Sequence, residues 1–207
     1  MQLPVTSLIG LGLITLGALI VFTQIDADDH RFNLVGYLLK YIGVILLVFR
    51  IFSIQKTVII LLVGIMTTVV LGTEEFRSGL PLQLPKLTVN HIMRVLISMI
   101  LFVLTFTIEP MIARWIPIPD SILFAVLFLI LLGLAEFSLT GSLLIRFLAL
   151  ISILLGYMLV MVFLEDATLT FAILIGTMMT IALIGANFIS ESQPAVVEIE
   201  VNEDLSE

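Results

Sequence analysis

The sequence has few charged residues, no cysteine and only two histidines. Charged side chains make up 12% of it, against roughly 25% in soluble domains. The absence of cysteine excludes disulfides, thiolate metal sites and cysteine-ligated iron–sulfur clusters. His30 and His91 are too far apart in the sequence to indicate a haem or metal site. These absences predict a protein without a cofactor.

Apolar residues are correspondingly abundant. They make up 60% of the 207 residues, where a soluble chain has roughly 45–50%, and the mean hydropathy is +1.26. A soluble domain of this size has too much surface per volume to bury so many apolar side chains. The composition therefore predicts an integral membrane protein with the lipid bilayer as its surroundings. It excludes a soluble enzyme, a nucleic-acid-binding protein and a disordered chain.

Seven apolar stretches are long enough to cross a bilayer, which takes about 20 helical residues each. They are residues 3–22, 33–52, 57–73, 88–108, 121–137, 143–163 and 168–189. Backbone polar groups in hydrocarbon must be satisfied within the segment, so the spans are helices. The prediction is an all-α polytopic transmembrane helical bundle of about seven helices over residues 1–189. Residues 190–207 are expected to form an acidic, flexible tail.

The distribution of Lys and Arg predicts an orientation. With an odd number of spans, the two termini lie on opposite faces. Six cations fall on the face of the C-terminus and three on the other, and the face with more cations is cytoplasmic. We therefore expect a cell-membrane protein with its N-terminus outside and its C-terminus in the cytoplasm.

The third and seventh spans resemble each other. Residues 62–71 and 174–183 share five identities in ten positions, including Gly, Met and Thr. Leu38-Leu39-Lys40-Tyr41 and Leu144-Ile145-Arg146-Phe147 also match, cation on cation. One interpretation is two parallel three-helix repeats, residues 1–75 and 121–189, joined by a linking helix at 88–109. The alternative is a chance match between apolar helices of narrow composition.

Several ionisable residues lie inside the predicted spans, where charge is costly and usually functional, and three of them are candidates for one site. They are Lys40, Glu136 and Arg146, all on the side of the C-terminus. We favour a structural ion pair between the carboxylate and these cations. The alternatives are that the two cations extend to the lipid headgroups, or that the three residues form a proton or substrate path.

His91 and Arg94 share one face at the start of the fourth span. Contact with anionic lipid headgroups is the favoured interpretation, and a proton relay is the alternative. Signatures of intramembrane proteases, zinc enzymes and nucleotide-binding loops are absent from the sequence. The protein is therefore not expected to be an enzyme.

The half from residue 121 to 189 resembles hydrogenase-4 component E and the three-helix K subunit of respiratory complex I. The resemblance lies in Leu131-Leu132-Gly133-Leu134, the segment Leu144-Ile145-Arg146-Phe147, Gly156-Tyr157, the acidic joint Glu165-Asp166 and the pattern of the seventh span. It implies a subunit packed among other integral membrane subunits. That family has buried carboxylates used in proton translocation, whereas spans six and seven here carry none. The resemblance thus implies a packing role without the proton chemistry.

Three functions follow from these patterns, the third of which, a cytoplasmic docking platform, rests on the acidic tail alone. The first is a non-catalytic packing subunit of a larger membrane complex. The alternative is a small-solute or ion transporter built from two three-helix repeats and a linking helix.

Overall fold

The computed structural model of the protein describes residues 5–23, 30–49, 51–77, 89–164 and 168–192. These residues form seven α-helices and, among themselves, no strand. The helices are α1 (Val5–Thr23), α2 (Arg31–Val48), α3 (Ile54–Arg77), α4 (Val89–Ile112), α5 (Asp120–Leu139), α6 (Leu143–Leu164) and α7 (Thr168–Ser192). All seven are long and apolar enough to span a membrane. The prediction of a seven-helix transmembrane bundle is confirmed.

The turn between α2 and α3 lies earlier than predicted. α2 ends at Val48, four residues before the predicted end, and α3 begins at Ile54. Ser53 explains the early start, because its hydroxyl accepts from the Lys56 N–H at 3.5 Å and its carbonyl accepts from the Thr57 N–H at 3.1 Å. A serine in this position caps the first turn of a helix.

The predicted helix end at Glu109-Pro110 is wrong. α4 continues to Ile112, with Pro110 inside the helix. A proline here removes one N–H from the last turn only, and the Ala113 N–H donates to the Glu109 carbonyl at 2.9 Å to continue the turn. α7 likewise continues through Ser190 and Glu191 to Ser192, which had been assigned to the tail. The rest of that tail, residues 193–207, lies outside the described residues.

Two helical hairpins form the centre of the bundle, and glycines allow their backbones to approach closely. In the α1–α2 hairpin, a Cβ atom at Gly10 would lie 2.8 Å from the Gly43 carbonyl oxygen. A Cβ atom at Gly17 would overlap the Gly36 carbonyl oxygen. In the α5–α6 hairpin, Gly133 packs on Ala149 and Ile153. Small residues at such contacts are typical of helix pairs in membranes.

The remaining helices pack around these hairpins. α3 contacts α2, α7 contacts α6, and α3 and α7 contact each other. α4 contacts α5 and α1. In α1–α3 and in α5–α7, the first two helices therefore form a tight hairpin and the third contacts the second. The parallel repeat itself stays a prediction. We call the end of the bundle at which α1 begins the N-terminal face and the opposite end the C-terminal face.

Candidate functional site: a buried ion pair between the hairpins

Lys40 and Glu136 form an ion pair inside the bundle. The Lys40 Nζ atom lies 2.5 Å from the Glu136 Oε1 atom, and the two side chains are 1% and 0% exposed. The pair joins α2 to α5, and so joins the α1–α2 hairpin to the α5–α6 hairpin. The residues are 96 positions apart in the sequence.

The local sequence of α2 turns Lys40 inward. Tyr37, Lys40, Tyr41 and Val44 are all buried and follow one another at helical spacing, so they form one face directed at the bundle. Lys40 lies midway along α2, with nine residues before it. Side chains tilt toward the N-terminus of their helix, which for α2 is the C-terminal face of the bundle. The ammonium group therefore reaches toward Glu136, three residues before the end of α5.

Glu136 is held on the inner face of its own helix. Leu129, Leu132, Gly133 and Glu136 are buried at spacings of three and four residues. Its Oε1 atom accepts from Lys40, whereas its Oε2 atom has no hydrogen-bond partner in the part of the chain that the structure describes. Only one of the two carboxylate oxygens thus has a hydrogen-bond partner among the described residues.

Two tyrosines extend this polar region along α2. Tyr37 and Tyr41 are each 1% exposed, and their ring centroids are 5.2 Å apart at an interplanar angle of 58°. Tyr37 lies three residues before Lys40 on the same buried face of α2. Gly64 of α3 makes room for the ring of Tyr41, because a Cβ atom there would overlap it.

Thr67 of α3 completes the region. It is fully buried and lies beside both phenols, but its hydroxyl donates to the carbonyls of Val63 and Gly64, at 2.9 and 3.0 Å. No described atom is aligned to hydrogen-bond with either phenol oxygen. We refer to Tyr37, Lys40, Tyr41, Thr67 and Glu136 as the buried polar cluster.

Burial makes each charge of the pair dependent on the other. A cation near the centre of a membrane helix costs about 2.5–3.5 kcal/mol on insertion scales. The attraction to a carboxylate in a medium of low polarity offsets part of that cost. Removing either partner would leave an uncompensated charge among apolar side chains, so the pair constrains which faces of α2 and α5 meet.

Arg146, the third residue of the predicted group, does not lie in this cluster. Its side chain is exposed, and its Nε–H donates to the Thr140 carbonyl at 3.2 Å, just beyond the end of α5. A cation in this position is favourable because it faces the negative end of the helix dipole. The rotation of α6 thus directs Arg146 outward, although it is close to Glu136 along the chain.

The two residues predicted to contact headgroups lie at the start of α4. The backbone of His91 is helical, but its side chain is outside the described residues. Arg94 is half-buried. A lipid contact by these residues stays a prediction.

Several polar residues that the structure brings together are not among the predicted site residues. The spacing of Tyr37 and Tyr41 around Lys40 was a usable signal, since all three share one helical face. No pattern in the sequence predicts the contact between His30 and Ser142. The His30 Nε2 atom lies 3.1 Å from the Ser142 hydroxyl and joins the starts of α2 and α6 at the C-terminal face. Only the packing of the two hairpins determines that contact.

The chemistry of the buried polar cluster is that of an ion pair with adjoining hydroxyls. Among the described residues, no group of three or more His, Cys, Asp or Glu side chains is arranged to hold a metal ion. No protein-family model matches this chain, and neither a curated protein nor a solved structure shows significant similarity to it. The resemblance to hydrogenase-4 component E therefore stays a prediction.

Proposed function

We propose that this multi-pass membrane protein is a non-catalytic packing subunit of a larger membrane assembly. The observation that carries the proposal is the sparse packing of α4. Only 11% of its membrane span is buried within the chain, against 39–56% for α1, α2, α3, α5 and α6. Its apolar side chains Met99 and Phe106 are 67% and 68% exposed.

The physics of association in lipid explains why this observation supports a subunit. Lipid tails are as apolar as the side chains they surround, so helices associate in membranes through packing contacts and hydrogen bonds. α4 has few such contacts within its own chain. Neighbouring subunits would supply the missing contacts, as the resemblance to the hydrogenase-4 and complex I subunits implies.

Site-specific photo-crosslinking in the native membrane tests this proposal. A photoreactive amino acid at Met99 or Phe106 of α4 is expected to give a discrete protein adduct of higher mass. Leu62 of α3 is the matched control, because it is also apolar and is 56% exposed. Lipid adducts alone at all three positions would contradict the subunit role.

A second candidate is an ion- or proton-coupled transporter, and the buried polar cluster is the observation that favours it. Ionisable groups inside membrane spans are often part of ion or proton pathways. Lys40 and Glu136 are buried inside the bundle, and Oε2 of Glu136 has no hydrogen-bond partner among the described residues. A carboxylate oxygen in that state can take up a proton if the ion pair opens.

Proteoliposomes distinguish the two candidates. A transporter would dissipate an imposed proton or solute gradient faster than empty vesicles, and Glu136→Gln would abolish the difference. A packing subunit would leave the gradient unchanged in both forms, although Glu136→Gln would still lower the stability of the protein.

A further inference from the structure

A membrane-facing cavity lies between α1, α4 and α5, apart from the buried polar cluster. Its volume is about 580 Å³, which is within the range of pockets that bind small molecules. Its walls are mainly apolar, and its polar groups are confined to a few positions. It opens near the N-terminal face, where α4 ends and α5 begins.

One wall of the cavity is aromatic. Phe102 and Phe106 of α4 and Phe124 of α5 line it, together with the first half of α1. The ring centroids of Phe102 and Phe124 are 5.2 Å apart at an angle of 69°. Thr15 is the deepest residue on α1, ten positions after Val5, which is about 15 Å along the helix axis. An apolar chain entering from the membrane surface would therefore lie among these side chains.

The outer part of the cavity is acidic. Glu109 lies three residues before the end of α4, and Asp120 is the first residue of α5. The two carboxylates line the same cavity. Within the part of the chain that the structure describes, neither forms an ion pair. This end of the cavity therefore favours a positive group.

Gly12 of α1 keeps the cavity open. It lines the wall, and a Cβ atom built there meets no atom within 4 Å. The other interior glycines of α1 differ, since Gly10 and Gly17 are pressed against α2. Close helix packing accounts for those two but not for Gly12.

We propose that this cavity binds an amphiphile with a protonated amine head group and a single apolar tail. The ammonium group lies between Glu109 and Asp120, and the tail lies along Phe102, Phe106 and Phe124. The carboxylates select the cation by charge complementarity, which is strengthened where the membrane lowers the local polarity. The anionic mouth disfavours fatty acids and phosphate head groups.

The test measures binding of dodecylammonium to the full chain in nanodiscs, by the saturable rise of the thermal unfolding midpoint with ligand concentration. Dodecanol and dodecanoate are the neutral and anionic comparisons. We expect dodecylammonium to bind about tenfold or more tightly than either, a difference that corresponds to about 1.4 kcal/mol.

Two sets of variants localise the binding. Gly12→Leu fills the cavity, whereas Gly176→Leu adds the same side chain in α7, where a Cβ atom also meets nothing within 4 Å. Glu109→Gln combined with Asp120→Asn removes the anionic mouth, and Glu191→Gln removes an exposed carboxylate at the end of α7 as its control. We expect about a tenfold loss of affinity in Gly12→Leu and in the double variant, and none in the controls.

Two results would overturn the proposal. One is equal binding of the cationic, neutral and anionic amphiphiles, which would make the cavity an unselective lipid groove. The other is that Gly12→Leu and the Glu109→Gln, Asp120→Asn double variant, measured separately, both keep full affinity. That result would place the ligand elsewhere. Neither result depends on whether the protein is a subunit or a transporter.

Discussion

The contact between Lys40 and Glu136 is specific enough to be measured as a coupling free energy. We expect Lys40→Met and Glu136→Gln each to lower the free energy of unfolding in detergent, because each leaves one partner buried alone. The double variant should lose less free energy of unfolding than the two single variants together, with a coupling free energy of about 1–2 kcal/mol. Thermal or denaturant unfolding of the four proteins measures it.

Arg146 provides the control for this cycle. Its side chain is exposed and hydrogen-bonds to the Thr140 carbonyl rather than to Glu136. The effects of Arg146→Met and Glu136→Gln should therefore add. Additive effects for Lys40 and coupled effects for Arg146 would mean that the carboxylate pairs with the other cation.

The phenols of the buried polar cluster lead to a second prediction. A buried hydroxyl without a partner costs free energy, and removing it without changing the shape of the side chain is nearly neutral or stabilising. Tyr41→Phe should therefore leave the thermal midpoint unchanged or raise it, whereas Tyr41→Ala should lower it by creating a cavity. A marked loss of stability in Tyr41→Phe would show that the hydroxyl has a hydrogen-bond partner in the membrane.

Much of this site could be predicted from the sequence, because so few ionisable residues lie inside the spans. Lys40, Glu136 and Arg146 were singled out for that reason alone. Which cation meets the carboxylate was not predictable, since it depends on how α2 and α6 are rotated about their axes. Proximity along the chain favours Arg146, yet Lys40 is the residue within 2.5 Å.

At the scale of the helices, the α1–α2 hairpin depends on close backbone contact. A Cβ atom at Gly17 would overlap the Gly36 carbonyl oxygen, so Gly17→Ala should force the two helices apart. We expect a loss of about 1–3 kcal/mol, measured by unfolding in detergent.

Gly12→Ala, in the same helix, is the matched control. Its Cβ atom meets no neighbour within 4 Å, and alanine has the higher helix propensity. Stability should be unchanged or slightly higher in that variant. If both variants behave alike, the glycines matter for flexibility of α1 and not for its packing on α2.

Helix number and position followed from apolar length, but the helix ends depended on local chemistry. The bilayer requires about 20 residues per span whatever their identity, so all seven spans were found. The start of α3 depends on the cap formed by Ser53, and α4 continues past Pro110 to Ile112 because the last turn of a helix tolerates a proline. Apolar length predicts neither feature.

At the scale of the whole molecule, the ion pair alters the charge argument for orientation. Lys40 was one of the six cations assigned to the C-terminal face, but Glu136 neutralises it inside the bundle. The C-terminal face then has five cations in this count, against three on the N-terminal face. The bias still favours a cytoplasmic C-terminal face.

Reporters fused to each terminus test this orientation. We expect a reporter that is active only in the cytoplasm to work at the C-terminus, and one that requires the exterior to work at the N-terminus. Adding three lysines between the N-terminal reporter and α1 should weaken or invert the preference, because the N-terminal face would then carry six cations against five on the C-terminal face. Opposite reporter results in the parent would disprove the charge argument. Reporters on the same side would mean that one of the seven helices does not cross the membrane.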